Sequence, residues 1–357
     1  KALYRDVRIL ILDEPTAVLT PQETDDLFAT LRLAIEEGLS IIFISHKLHE
    51  VMAIADRVVV LRRGKMAGGV DTKDTDKNAL AVMMMGTEAT PPEVSPAKPG
   101  APLLALSKVT TPDVGSVPGL KSVSLALKAG QIVGLAGVSG NGQAAMADVV
   151  GGLLSPSDGQ VILGSETVQK WTPRVAVQSG IARIPEDRHK KGTIADFDLI
   201  ENAVLERYKS PAFSKGGWMN WRKSRAFADG IIDKYDVRCP GSDTPIRLLS
   251  GGNMQKLILG RVLEADPQII LANQPVRGLD IGAVNYVHSR LLSARERGAA
   301  VLLISEDLDE VMALSDVIHV IADGRLSPEF KRGEMTPAQL GLWMAGQGFE
   351  ADIAHAS

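Results

Sequence analysis

Two acidic residues, Asp13 and Glu14, close the apolar run "RILILDEP". A carboxylate at the end of a buried strand suits a Mg²⁺ ligand, and a second beside it suits a base that takes a proton from water. Acids are common at strand ends, so the pair alone is a weak signal. His46 ends the next apolar run, "IIFISH", and can reach the same place, although a lone histidine more often serves the core. A second candidate is "GVSGNGQAA", residues 137–145. Gly137, Gly140 and Gly142 have the spacing of a phosphate-binding loop, G-x-x-x-x-G-K-[ST], with Ser139 and Asn141 between them. Such a loop works by turning successive backbone N–H groups and a helix N-terminus toward the anion. The lysine position is Gln143 and the hydroxyl position is Ala144, so neither the cation nor the metal ligand is there. A third is "LLSGGNMQKLILGR": Ser250, Gly251 and Gly252 open a helical pattern containing Gln255, and small residues there expose a helix N-terminus to an anion. Its bland alternative is an ordinary capped helix.

These residues need a scaffold. "RILILD", "SIIFIS" and "RVVVLRRGK" read as short buried strands, with an amphipathic helical pattern over 21–38 between the first two. That spacing predicts β-α-β units around a parallel sheet. "QIVGLAG" reads as a strand feeding the glycine loop, "QAAMADVVGGLL" as the helix after it, and residues 195–265 as mostly helical. Residues 86–102 are rich in Pro, Thr, Ala and Gly, the composition of a linker.

The two ends of the chain repeat. Shifted by 260 positions they align without a gap: "RILILDEPTAVL" lies over "QIILANQPVRGL", and "IIFISHKLHEVMAIAD" over "VLLISEDLDEVMALSD". Ser45/Ser305, Glu50/Glu310 and Asp56/Asp316 are identical pairs. Only the second copy has a long upstream stretch with a glycine loop. The expected organisation is therefore the C-terminal part of a first domain over 1–86, a linker over 87–101 and a complete second domain over 102–350. A genuine short N-terminal domain is the alternative to a truncated chain.

Bulk properties narrow the class. The 357 residues suffice for two domains, with 45% hydrophobic and 23% charged residues. A net charge of −4 argues against a general nucleic-acid binder. Cys239 is the only cysteine, so no internal disulfide can form, which fits a reducing compartment. No apolar run reaches the length of a spanning helix.

The combination and order of glycine loop, "LSGG" stretch, strand, acid pair, strand and histidine goes beyond any one of them. On "DEPTAVLTPQE", "LSGGNMQK" and the tandem repeat, the chain resembles the ATP-binding cassette ATPases, and within them the ATPase subunits of simple-sugar and nucleoside importers; "GVSGNGQ" and "ANQPVRGLD" lean to the nucleoside branch. The resemblance implies an α/β P-loop NTPase cassette with a helical subdomain, preceded by the C-terminal part of another. It implies ATP and Mg²⁺ as cofactors, Asp13 as metal ligand, Glu14 as catalytic base and His46 as switch histidine. Gly137, Ser139, Gly140, Asn141, Gly142, Gln143 and Ala144 would be the nucleotide-binding loop of the second cassette. Ser250, Gly251, Gly252 and Gln255 would close the first cassette's site from across the interface. It also implies two transmembrane permease subunits, an extracytoplasmic substrate-binding protein acting through them, no nucleic acid, and a peripheral place on the cytoplasmic face of a bacterial inner membrane. The insert from Asp196 to Arg247 would face the permeases.

The second copy departs from the pattern at the polar positions. Besides Gln143 and Ala144, Asn273 replaces the metal-binding Asp, Gln274 the base and Glu306 the switch histidine, and Glu186 stands at the expected glutamine of "ARIPEDR". Asp280 fits the aspartate after "RGL", where the first copy has Thr20. No aromatic residue between Ala101 and Gly142 could stack on adenine. The expectation is one hydrolytic site and one kept for shape. Soluble cassette proteins acting on ribosomes or DNA, and non-catalytic regulatory cassettes, are the alternatives; the first would favour a basic linker and intact acids in both copies.

Overall fold

The computed structural model describes residues 7–349, apart from 17, 18, 46, 63, 86–93, 116 and 280. His46 and Asp280 therefore lie outside the described residues.

The N-terminal unit runs β1 (Ile9–Asp13), α1 (Pro21–Glu36), β2 (Ser40–Ile44), α2 (Leu48–Ile54), β3 (Arg57–Arg62), β4 (Lys65–Asp71) and α3 (Lys77–Met85). The C-terminal unit opens with β5 (Pro102–Thr110), β6 (Val123–Lys128), β7 (Ile132–Ala136), α4 (Gln143–Val150), β8 (Asp158–Leu163), β9 (Glu166–Thr167), α5 (Pro173–Gln178) and β10 (Ile181–Ile184). A largely helical segment follows: α6 (Leu199–Val204), the hairpin β11 (Ser214–Lys215) and β12 (Trp218–Met219), α7 (Trp221–Lys234) and α8 (Gly251–Leu263). The chain then runs β13 (Ile269–Asn273), α9 (Ile281–Glu296), β14 (Ala300–Ser305), α10 (Leu308–Leu314), β15 (Val317–Ala322), β16 (Arg325–Leu326), β17 (Phe330–Lys331) and α11 (Pro337–Met344).

The central sheet has the order β10-β13-β14-β7-β15-β16, with β17 on β15, and its first five strands are parallel. A second, antiparallel sheet has the order β6-β5-β8-β9. Ile132, Leu135, Ile270, Val301 and Leu303 are buried, as a parallel sheet covered on both faces demands. One face packs on α8 and α9, the other on α4 and the antiparallel sheet. Asp316 fixes the strand that feeds the glycine loop. Its Oδ2 accepts the Ile132 N–H at 2.8 Å, while its Oδ1 takes Arg295 Nη1 at 2.9 Å.

The repeat read from the sequence is a structural repeat. β1, α1, α2 and β3 have the same bounds as β13, α9, α10 and β15 after the 260-residue shift, and Ile9 pairs with Ser40 as Ile269 pairs with Ala300. The environments differ. In the C-terminal unit β7 lies between β14 and β15. In the N-terminal unit β1–β2 and β3–β4 are separate two-stranded sheets, with a groove of about 860 Å³ lined from β2 and β3 between them. Leu10, Phe28, Leu31 and Ile54 form a small core on one face of β1–β2. On the other face Ile11 is 63% exposed, whereas its counterpart Leu271 is 2% exposed.

The two units meet reciprocally: α1 packs on α11, and α3, the counterpart of α11, packs on α9, the counterpart of α1. Such an exchange is the signature of an approximate two-fold axis. Part of the expected linker is tied down. Arg295 Nη2 donates to the Ser95 carbonyl at 3.0 Å, and Val94 packs against the core. No described helix is long and apolar enough to cross a membrane.

Candidate nucleotide site and its degenerate copy

The glycine loop links buried β7 to α4. Gly142 caps α4 at φ 113, and Gly140 has φ 85; both lie in the left-handed region that glycine enters without a Cβ penalty. A Cβ on Gly137 would come within 2.7 Å of both Gln143 Nε2 and the Ile321 carbonyl. The backbone is thus that of an anion cradle, but its interior is filled by the chain itself. Gln143 is buried at the first turn of α4. Its Nε2 donates to the Val138 carbonyl at 2.8 Å, and its Oε1 accepts the Asn141 N–H at 3.0 Å. That N–H is one of the donors a phosphate oxygen would need. Asn141 in turn ties the loop to the β15–β16 turn. Its Oδ1 accepts the Asp323 N–H and its carbonyl the Gly324 N–H, at 3.0 and 2.9 Å. Ser139 and Ala144 are exposed.

The acid pair and its copy share one backbone geometry. Glu14 has φ 44 and Gln274 φ 50, and each donates its N–H to a carbonyl near the end of the neighbouring strand, Ile44 at 2.9 Å and Ile304 at 2.8 Å. A left-handed conformation is unfavourable for either residue, so both turns hold the same strained position after the strand. Only the head group changes, from carboxylate to amide. Both side chains line a cavity of about 510 Å³ between the units, together with Lys47, Arg277 and Glu306, the counterpart of His46. Asp13 stands exposed at the end of β1.

The identical Ser and Glu pairs also have a place. Ser45 Oγ donates to Glu50 at 3.1 Å and Ser305 Oγ to Glu310 at 2.6 Å, and both glutamates are buried. Each serine also accepts the N–H two residues on, Lys47 or Asp307, at 3.1 Å. The loop holding Glu306 is therefore pinned from both ends, and Ser45 makes the same two bonds. Glu310 has a further partner in His288 Nε2 at 2.9 Å; the first copy, with Phe28 there, uses Thr16 Oγ1 at 2.7 Å on Glu50 instead.

The "LSGG" residues stand at the start of α8. Ser250 is the exposed N-cap, and its Oγ accepts from Asn253 Nδ2 at 3.0 Å rather than from the helix backbone. They are not among the residues lining the cavity that Glu14 and Gln274 share. Gln255 is placed differently from the expectation of a nucleotide contact: it is buried, and its Nε2 donates to the Pro275 carbonyl at 2.7 Å. It braces α8 against the turn after β13.

Arg188 is a positioning residue that sequence reading missed. Its Nη1 donates to the Arg277 carbonyl at 2.8 Å, and a Cβ on Gly251 would come within 2.9 Å of its Nη2. Burial lowers its pKa below the usual arginine value. Beside it, the Asp187 carboxylate accepts the Lys190 and His189 N–H groups; the first of these is the main cause holding it below the usual range. Glu186 pairs with Arg277 at 2.7 Å. "PEDR" thus links the helical segment to the Gln274 turn. Its signal in the sequence was only a cluster of charges at the right distance from the glycine loop.

The fit of Mg²⁺ and a triphosphate differs between the copies. Gln143, Ala144, Asn273 and Gln274 offer no cation and no anionic oxygen, and the loop interior is occupied by an amide, so the C-terminal loop does not fit the metal–nucleotide pair. Asp13 and Glu14 supply two carboxylates, which suit a divalent ion only where phosphate oxygens or water complete the shell. Among the described residues, no three or more His, Cys, Asp or Glu cluster as a metal site.

A family model described as ABC transporter matches residues 120–277. The guanosine import ATP-binding protein NupO of Bacillus subtilis is 44% identical over 347 residues, covering 97% of this chain and 68% of NupO. The chain belongs to the ABC transporter ATP-binding family. Other members similar to it include the glucose import ATP-binding protein TsgD13 of Haloferax volcanii, 41% identical over 98% of this chain and 64% of TsgD13. The ribose import ATP-binding protein RbsA of Bacillus licheniformis is 33% identical over 95% of this chain and 68% of RbsA. The chain therefore spans about two thirds of the length of these ABC relatives. Among solved structures, a nucleotide-free ABC cassette superposes with a TM-score of 0.55 at 21% identity, over 65% of this chain and 92% of the cassette. A dimeric cassette in a post-hydrolysis state with ADP and Pi gives 0.56 at 24%, over 65% and 100%. These likenesses establish the ABC cassette fold.

Proposed function

We propose that this chain is the major part of the ATPase subunit of an ABC importer for a simple sugar or nucleoside, with two unequal cassettes. Asp13 holds Mg²⁺, Glu14 orients and deprotonates water, and His46 contacts the γ-phosphate at one composite site. That site is closed by Ser250, Gly251 and Gly252 of the other cassette. The C-terminal loop, Gly137 to Ala144, is retained for shape and does not support hydrolysis. The reading rests on one observation: the same left-handed turn carries Glu14 in one copy and Gln274 in the other, and the loop of the Gln274 copy is filled by Gln143. The partners are two transmembrane permease subunits on the cytoplasmic face of a bacterial inner membrane, served by an extracytoplasmic binding protein that selects the substrate.

The pure chain should hydrolyse ATP negligibly, because it has no lysine-bearing phosphate loop. Steady-state phosphate release by the purified chain checks this, and robust turnover would refute it. Co-purification with two hydrophobic membrane subunits separates this reading from that of a soluble cassette protein.

A further inference from the structure

The helical segment carries a feature that ATP chemistry does not use. From Arg207 to Arg225 the sequence has six Lys or Arg residues and no Asp or Glu, in a chain of net charge −4. In its middle stands the β11–β12 hairpin, with Lys215 opposite Trp218 and a two-residue turn, Gly216 and Gly217, at φ 60 and 86. Positive φ at both central residues makes a tight turn whose twist suits the strands. The base is anchored. Phe213 is buried 5.1 Å from the Phe227 ring, and the Arg207 guanidinium lies near both rings. The tip is not: Trp218 is 83% exposed, and Trp221, at the start of α7, is 54% exposed. Tyr208 is exposed as well, with Lys209 Nζ 5.4 Å from its ring.

The cations divide into two groups. Arg207 donates to the Glu264 carbonyl, and Arg225 pairs with Asp243. Among the described residues, no ion pair joins Lys209, Lys215, Arg222 or Lys223. Four exposed cations and three exposed aromatic rings on one segment around an anchored hairpin match the interfacial zone of an anionic bilayer. Indole and phenol rings settle at headgroup depth there, and lysine and arginine meet lipid phosphates.

We infer that this hairpin is a membrane-surface contact that binds anionic phospholipid headgroups, with Trp218 entering the interface and Lys215, Arg222 and Lys223 on the phosphates. This goes beyond the ATPase reading and does not depend on it, because the contact is between the chain and lipid. The test is density-gradient flotation of the full chain with phosphatidylglycerol–phosphatidylcholine vesicles, alongside pure phosphatidylcholine vesicles and a single-stranded oligonucleotide. The chain should float with the anionic vesicles only, and high salt should release it. Arg222→Glu with Lys223→Glu should weaken binding at least about tenfold, since each cation near the surface counts. Trp218→Ser should weaken it by a comparable factor, and Lys215→Glu is an independent check on the hairpin. All change exposed side chains, and circular dichroism verifies the fold. The inference is overturned if the chain does not float, if neutral vesicles bind as well, or if the variants float like the parent. Oligonucleotide binding lost in the same variants, without flotation, would overturn it by assigning the patch to nucleic acid.

Discussion

His49 Nδ1 lies 3.2 Å from Asp309 Oδ2, and the two residues occupy the same place in two copies of one repeat. A position that meets its own copy lies beside a two-fold axis. The reciprocal contacts of α1 with α11 and α3 with α9 lie around the same axis, and Glu14 and Gln274 open into one cavity beside it. The units are therefore arranged face to face, and each strand-end turn looks at its counterpart.

The pair is exposed, so it registers the interface more than it stabilises it. A double-mutant cycle on His49→Ala and Asp309→Ala should give a coupling energy below about 1 kcal/mol in urea denaturation. His49→Cys with Asp309→Cys, treated with a short bismaleimide, should give an intramolecular cross-link within one chain. Cross-linking only between chains would refute the arrangement.

Gln143 fills the glycine loop, and Gln143→Ala should cost about 1 kcal/mol for its lost hydrogen bonds. Gln143→Lys with Ala144→Thr should turn the loop into a nucleotide binder, as followed by a fluorescent ATP analogue. Hydrolysis should stay absent, because Asn273 and Gln274 remain neutral. An affinity no higher than the parent's would show that something other than Gln143 closes the loop.

His319 gives a sign to the pH dependence. It is buried, with Nδ1 donating to the Ser327 carbonyl at 3.0 Å, and burial lowers its pKa below the usual 6.5. The folded state therefore holds fewer protons at this site than the unfolded state just below that value, and stability rises with pH there. The contribution is complete above the unfolded pKa and is lost as pH falls through the folded one. Thermal unfolding at pH 7.5 and 5 should show acid destabilisation that is smaller in His319→Gln. Equal losses in both proteins would exclude this histidine as the cause.

Gly260 sets how closely α8, the helix that presents Ser250, approaches α7. A Cβ there would stand 2.4 Å from Ile231 Cγ2 and 3.0 Å from the Tyr235 ring. Gly260→Ala should destabilise the chain by about 1–3 kcal/mol through overpacking. Gly252→Ala, where a Cβ meets only Ala283 at 3.9 Å, should leave the denaturation midpoint close to the parent's.

Much of this was legible in the sequence because the chain carries its own control. The 260-residue repeat set Glu14 against Gln274, and the strands around Gln274 are buried as their apolar runs require, whereas Ile9, Ile11, Ile42 and Ile44 in the matching N-terminal runs are exposed. What stayed hidden depends on side chains meeting across distant elements. The sequence shows that a lysine is missing at position 143; it does not show that the replacing amide turns back into the loop. Nor does it place Arg188 against Gly251 or His49 on Asp309, since partners some 60 to 260 residues apart leave no local pattern. The gap between β2 and β3 was invisible for the opposite reason: "SIIFIS" and "RVVVLRRGK" read as buried strands, yet nothing in either states which strand lies between them.

The asymmetry of the two turns makes the sharpest prediction. In a protein carrying this chain behind an intact G-x-x-x-x-G-K-[ST] loop, Glu14→Gln removes the carboxylate proposed to take a proton from water. Turnover should fall at least about a hundredfold, the usual contribution of a positioned base. Gln274→Ala removes an amide that cannot take that proton, so kcat should change by less than about twofold. Ser250→Arg should block closure on the nucleotide and abolish turnover while leaving the unfolding midpoint close to the parent's, because Ser250 is exposed and its side chain caps no backbone N–H of α8. Phosphate release measured for the three variants decides among the arrangements. Equal losses from Glu14→Gln and Gln274→Ala would mean two working sites, and full activity in Ser250→Arg would remove the serine from the composite site.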